Sequence, residues 1–329
     1  MNGRTKIGFL VVLLALKTSL PAFTQPVPIG DLQRAVDNFS SALAMSLPLN
    51  ASLGLNWSSA YIGRFFPSIP PSFGVGVSFG VTSMDTSAIR GLAAPLGLGG
   101  IPGGDRFPFP AYTAEARIGG FFLPFDVGFK FGHLPPVGNP LPFGNRIDIN
   151  YLLVGGDIRY ALLDRAFLPR ISVGLGFNYL RGGIGGRVGQ RSFDFDAGRA
   201  VEFGGADVDL NWRTFSFDAK AQISQSFIIA TPFLGVGASF ARSRTGFEAR
   251  SNITVDGGPL TPADVSALRE FGIDASGVGM SSNVDRNDFN TRVFGGIGIN
   301  LTLFRLDFVG IYSFRDGNYG ASIGFRFQT

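Results

Sequence analysis

From Ser72 onward, apolar and polar residues alternate with a period of two along most of the chain. Phe73, Val75, Val77, Phe79 and Val81 alternate with Gly74, Gly76, Ser78 and Gly80. The same rhythm runs over 111–123, 125–131, 147–160, 171–179, 207–223, 234–240, 288–303, 305–314 and 318–327. A period of two marks a strand with one apolar and one polar face, so the pattern predicts ten strands. The phase slips near Trp212–Thr214, which predicts a bulge. Connections differ in length by turn. Stretches 85–110, 133–145, 181–205 and 246–287 are long and rich in Gly or Pro, and Phe193 and Phe195 suggest a strand extension in the third. The intervening connections at Pro124, 162–169 and 224–232 are short, and the last, Arg315–Gly317, is tight where a long loop would be allowed.

Long loops on one rim and short turns on the other, with an even strand number, point to an all-β fold. The expected architecture is an antiparallel transmembrane β-barrel of about ten strands. The alternative is a secreted soluble β-domain, which has no reason to sort its loops and would carry more charge on its outer faces. Tyr112, Phe122, Tyr160, Tyr179, Phe240, Phe289, Phe304 and Tyr319 stand near strand ends, as interfacial girdles require.

The remaining elements are helical. Leu32, Ala35, Val36, Phe39, Ala42 and Leu43 recur at helical spacing over 31–47, with Asp31 as N-cap and Pro48 as terminator. A second short helix is expected inside 246–287, with Thr261 as N-cap, Pro262 at N1, Asp264 at N3 and Gly272 beyond its end. The division expected is 1–25 as signal peptide, 26–71 as an N-terminal helix and linker, and 72–329 as the barrel. The helix and linker form either a lumen plug or a periplasmic segment.

The first 25 residues carry Arg4 and Lys6 ahead of an apolar run, Ile7–Leu16, too short to span a bilayer, as in an export signal. That segment explains the formal charge of +4. Without Arg4, Lys6 and Lys17 the chain holds 25 basic and 24 acidic residues. With no basic tract remaining, nucleic acid is not an expected partner. The absence of Cys excludes disulfides, thiolate metal sites and a lipidated N-terminal cysteine. A single histidine, His133, makes imidazole zinc sites implausible. Charged residues are 16% and mean hydropathy is +0.23. An exported chain this apolar, without membrane-length helical runs after the signal, is expected in an outer membrane.

The signal segment, the alternating strands and the closing Gly320-Ala-Ser-Ile-Gly-Phe-Arg-Phe327 together resemble a Gram-negative or spirochaetal outer-membrane β-barrel protein. The closing stretch is similar to the aromatic-ended final strand read by the barrel assembly machinery, except that Gln328 and Thr329 follow the Phe. Asn56-Trp-Ser-Ser-Ala-Tyr-Ile-Gly63 through Pro71-Ser-Phe-Gly-Val-Gly-Val77 is similar to uncharacterised treponeme-type barrels, a resemblance that brings no activity with it. It implies outer-membrane lipid and the assembly machinery as partners.

The polar strand faces are unusually bare. Gly74, Gly76, Gly174, Gly176, Gly235, Gly237, Gly296, Gly298, Gly320 and Gly324 fall on them. A ten-stranded barrel is narrow, and a wall stripped of side chains leaves space. Leu32, Phe39, Leu43, Trp57 and Tyr61 are the candidate plug that fills it. The plainer readings are glycine kinks needed for closure or a helix lying on the membrane surface. Glu115, Arg117, Asp126, Lys130, Asp157, Arg159, Asp218, Lys220, Arg292 and Arg326 are expected to face the lumen. They form either a structural salt-bridge ladder or a selectivity ring.

No cofactor is expected. Gly97–Gly104 and Gly182–Gly189 lack nucleotide-loop spacing, and the acids at Asp194, Asp196, Asp207 and Asp209 lack the glycine and glutamate of a calcium loop. His133, in Gly132-His-Leu-Pro-Pro136, is the one imidazole available for hydrolysis, so an enzyme is not expected. Two functions remain: passive passage of a small or hydrophobic solute through a narrow plugged channel, or a structural or adhesive barrel acting through its long loops.

Overall fold

The computed structural model describes residues 29–63, 71–85, 87, 106–120, 124–140, 146–164, 168–188, 191–195, 199–203, 206–250, 253–255, 258–259, 261–270 and 279–329. Ten strands close into one antiparallel barrel: β1 (Ser72–Asp85), β2 (Arg106–Gly119), β3 (Phe125–Pro140), β4 (Arg146–Leu163), β5 (Arg170–Val188), β8 (Ala206–Ser224), β9 (Ala230–Arg250), β12 (Gly279–Leu301), β13 (Phe304–Ser313) and β14 (Tyr319–Gln328). Each pairs with its sequence neighbours in the barrel, and β14 closes on β1 from Gly74–Gln328 to Thr82–Gly320. Closure satisfies the strand edges, which is what lets strands cross hydrocarbon, except along the upper β2–β3 seam, where the ladder spans only Ala114–Phe131 to Gly119–Asp126.

The outer wall is apolar. Val75, Phe79, Val127, Phe129, Leu175, Phe217, Val236, Phe240, Ile323 and Phe325 all stand exposed on it. In water that surface would be costly to expose; against acyl chains it is the expected exterior of an outer-membrane-type barrel. Among the described residues no helix is long and apolar enough to cross a membrane. The two residues after Phe327 lengthen the closing seam. Gln328 pairs with Gly74, and the Thr329 amide donates to the Phe73 carbonyl at 3.0 Å.

Several expectations need correction. The strands overrun the expected loops: β3 continues to Pro140, β5 to Val188 and β9 to Arg250, while β12 begins at Gly279. Tall hairpins therefore replace much of the irregular chain. Phe193 belongs to β6 (Arg191–Phe195), which pairs with β7 (Arg199–Phe203) in a separate four-stranded sheet. That sheet is completed by β10 (Ile253–Val255) and β11 (Gly258–Pro259). No bulge occurs at Trp212–Thr214: β8 keeps continuous register with β5 and β9 from end to end. The apparent slip arises because Trp212 is an apolar residue that points inward. Real register shifts lie at Leu134/Val137 and Ala161/Leu163.

Helix α1 runs Ile29–Ala51, beyond Pro48. Proline removes one helical hydrogen bond, but the Ser52 amide still closes onto the Pro48 carbonyl at 3.1 Å and buried surroundings hold the last turn. Helix α2 (Pro262–Glu270) has the expected cap. The Asp264 amide donates to Thr261 Oγ1 at 3.3 Å, and the Thr261 amide donates to Asp264 Oδ2 at 2.9 Å. Gly272 and Phe122 lie outside the described residues.

Candidate functional site

The lumen is filled by the chain's own N-terminal segment. Helix α1 packs mainly against β12 and β9, then β1 and β8, and every residue from 46 to 63 is buried. The direction of the segment follows from its contacts. Near the long-loop rim Thr245 Oγ1 donates to the Ser40 carbonyl at 2.8 Å, and Asn50 Nδ2 donates to Thr82 Oγ1 and the Phe109 carbonyl at 3.1 Å each. At the short-turn rim the Ile62 amide donates to Asp126 Oδ2 at 3.1 Å. The segment thus descends the whole barrel before β1 begins.

Its upper half is held by apolar packing. Leu43, Leu47, Leu49 and Leu53 join Met84, Tyr151, Leu153, Leu180, Trp212 and Phe294 from the wall. Each buried leucine contributes about 1.5–3 kcal/mol relative to exposure. Phe39 packs against the edge of this cluster. Leu32 lies in the first turn of α1, and its side chain lies outside the described residues.

The lower half is held by charge and hydrogen bonds. All ten charges expected in the lumen point inward; nine are buried and Lys220 nearly so. Arg117 bridges Asp126 at 2.5 Å and Asp157 at 2.6 Å. Arg159 meets Asp126 at 2.7 Å, Lys220 meets Asp157 at 2.5 Å, and Arg292 meets Asp218 at 2.8 Å. Arg326 pairs with Asp307. These side chains also grip the segment. Lys130 Nζ donates to the carbonyls of Ala51 and Leu53 at 2.7 and 2.6 Å, Arg159 to that of Ser59 at 2.9 Å, and Gln222 to that of Trp57 at 2.8 Å. Trp57 donates its indole N–H to Glu115 at 2.5 Å, with the guanidinium of Arg326 at 4.5 Å and that of Arg117 at 5.4 Å from its ring. A cation over an indole face is attractive. Tyr61 is fully buried.

The bare wall positions now have occupants. A Cβ on Gly74 would lie 2.8 Å from the Trp57 ring, and one on Gly298 would meet the Ser58 side chain. Others clear room for wall side chains: Gly76 for Arg326, Gly174 for Arg159 and Gly235 for Phe294. Asp307, Arg305 and Gln222 belong to this network and were not singled out from the sequence. Val309 and Ile311 share the inward face with Asp307 and disguise its polarity. The register Arg305–Arg326 was the available signal, readable only once the strand pairing is known.

One seam of the wall differs from the rest. Strands β2 and β3 pair only between Ala114–Phe131 and Gly119–Asp126. Above that point the edges run side by side, so close that a Cβ on Gly132 would lie 2.2 Å from the Tyr112 carbonyl, without continuing the ladder. Further up these edges stand Pro108 and Pro110 on β2 and Pro135 and Pro136 on β3, which lack an N–H and cannot donate to a resumed ladder. Tyr112 stacks on Tyr151 there at 5.5 Å; both hydroxyls are buried without a partner among the described residues. His133 is exposed on β3, and among the described residues it makes no hydrogen bond and no cluster of His, Asp and Glu suits a metal.

A family model described as Lsa36-like matches residues 138–329. No curated protein sequence matches the chain. Among solved structures it is similar to the translocator domain of the autotransporter NalP from Neisseria meningitidis (9% identity, 90% of this chain and 99% of that one, TM-score 0.36). It is also similar to Ail, the attachment invasion locus protein of Yersinia pestis (10%, 79% and 99%, 0.28), and to the toluene transporter TbuX of Ralstonia pickettii (8%, 78% and 89%, 0.25). Scores this low carry no argument about function; the architecture rests on the chain's own strand pairing.

Proposed function

We propose that this chain, which belongs to the Lsa36-like family, is exported by residues 1–25 and works in the outer membrane as a narrow, self-plugged channel for passive uptake of a small or hydrophobic solute. The observation that carries this reading is the segment 46–63, buried along the whole lumen and tied to the wall by side-chain bonds more than by its own secondary structure. A purely structural barrel needs no such removable filling; glycines at the wall could have been replaced by larger side chains. The final strand, ending Phe325-Arg326-Phe327, is the handle for the barrel assembly machinery in this reading.

The β2–β3 seam favours a hydrophobic solute. A ladder that stops at Ala114–Phe131 leaves fewer backbone bonds to break for a sideways exit into lipid. A second reading, adhesion, is favoured by the sheet β6–β7–β10–β11 and the tall β9–β12 hairpin, which build the long-loop rim into a raised surface. Liposome swelling separates the two. Vesicles carrying the barrel should swell in a small solute, faster once Asp126→Asn loosens the segment; vesicles that never swell, with either chain, would leave adhesion as the function.

A further inference from the structure

We propose that the lipid-facing wall of β5, β8, β9 and β12 is a binding site for one anionic phospholipid, its phosphate on an arginine row and an acyl chain in the groove below. On β5 the outward apolar run Val173, Leu175, Phe177, Tyr179 ends at Arg181; on β8 the run Ala219, Phe217, Phe215 ends at Arg213. On β9 Val236, Ala238 and Phe240 give way to Arg242 and Arg244. The four strands are in continuous register at this level, Arg181 to Arg213, Arg213 to Arg244 and Arg244 to Asp285 of β12, and all these residues are exposed.

The charge is not balanced within the row. Asp285 is the one carboxylate in it, bridged by Arg242 at 2.8 Å and Arg244 at 2.5 Å. Hydrogen bonds from Arg242 and then Arg244 hold its carboxyl below the ordinary range, so it stays ionised and fixes both guanidiniums. No described carboxylate pairs with Arg181 or Arg213. Four cations against one anion, placed where the apolar band stops, match the phosphate level of a leaflet. Arginine suits phosphate because its planar fork donates two parallel bonds.

Further down the wall, beyond Tyr179, Phe177, Phe215, Phe217 and Phe240, lies an open groove of about 780 Å3 that crosses these strands and reaches Ile158 and Tyr160 of β4 and Phe125 of β3. Ala219, Ala221 and Ala238 form its floor between the bulkier Val173, Leu175 and Val236. Alanines flanked by Phe217 and Phe240 above and Ile223 and Leu234 below leave a depression in an otherwise bulky wall.

The test uses the full chain in phosphatidylcholine vesicles, with spin-labelled phosphatidylglycerol or phosphatidylcholine as probe and the motionally restricted fraction as readout. The wild type should prefer phosphatidylglycerol about fivefold or more, and salt near 1 M should weaken the preference. The variant R181Q/R213Q/R242Q/R244Q should bind both probes alike. Ala219→Leu with Ala238→Leu, which fills the groove and keeps the charges, should reduce the restricted fraction of both. Heat-modifiable gel migration verifies folding; should the quadruple variant not fold, the salt titration and the groove variant decide the matter. An equal preference in wild type and quadruple variant overturns the proposal. So does heparin binding that the quadruple variant loses while lipid preference is absent, since the row would then serve a soluble polyanion.

Discussion

Asp126 is the residue whose loss should tell most about how the lumen is held. It accepts from Arg117 Nη1 at 2.5 Å, from Arg159 Nε and Nη2 at 2.8 and 2.7 Å, and from the Ile62 amide at 3.1 Å, and it is fully buried. Asp126→Asn removes the charge and keeps the shape. Arg117 retains Asp157, but Arg159 is left with the Ser59 carbonyl, and Ile62 loses its acceptor or meets an amide donor. Removing one partner of a buried ion pair costs about 3–5 kcal/mol, and the surviving Arg117–Asp157 pair places the expected loss near the lower figure. Urea unfolding of the barrel in lipid vesicles, followed by heat-modifiable migration, reads it. The companion Asp126→Leu with Arg159→Met removes both members of the pair and should recover most of the loss, because replacing a whole buried pair by apolar side chains is often close to neutral. A single variant within about 1 kcal/mol of wild type, or a double variant as unstable as the single, would refute the reasoning that the network is a paired, desolvated clamp.

Other expectations follow from the same geometry. Amides of residues 111–113 and 132–134 should exchange hydrogen faster than those of 115–119 and 126–130; equal protection across the two stretches would mean the β2–β3 ladder is continuous after all. Gly74→Val should push Trp57 out of its place between two guanidiniums, since a Cβ there already lies 2.8 Å from the ring, and should be read as a change in indole fluorescence and more frequent channel openings; a silent Gly74→Val would mean the segment has slack. With the segment removed, the lower lumen presents Arg117, Lys130, Arg159, Lys220, Arg292, Arg305 and Arg326 against Glu115, Asp126, Asp157, Asp218 and Asp307, so reversal potentials should show anion selectivity; cation selectivity would contradict that placement.

The sequence discloses the wall better than what fills it. Alternation assigned Phe73–Val81, Ile171–Tyr179 and Tyr319–Phe327 to their faces because lipid outside and polar groups inside impose one rule on each strand. The rule fails where the segment meets the wall. Trp212, Phe233 and Phe294 are apolar yet inward, since they pack inside the lumen rather than face solvent or lipid. The false bulge at Trp212–Thr214 came from that mismatch, and the loss of Asp307 from the lumen set came from its neighbours Val309 and Ile311. Strand ends were misjudged for another reason. Above the membrane neither face is greasy, so Arg242–Arg250 and Gly279–Asn287 read as loop although they pair in unbroken register. Pro48 misled because a local rule about helix ends was outweighed by burial.

The most direct test of the central claim compares single-channel conductance in planar bilayers for the full chain and for a chain lacking residues 26–66. If the barrel is a conduit narrowed by its own N-terminal segment, the shortened chain conducts steadily and more than the full chain, whose openings are small and brief. Equal conductance from the two would mean that the segment does not obstruct the path, and the account of the lumen given above would be wrong.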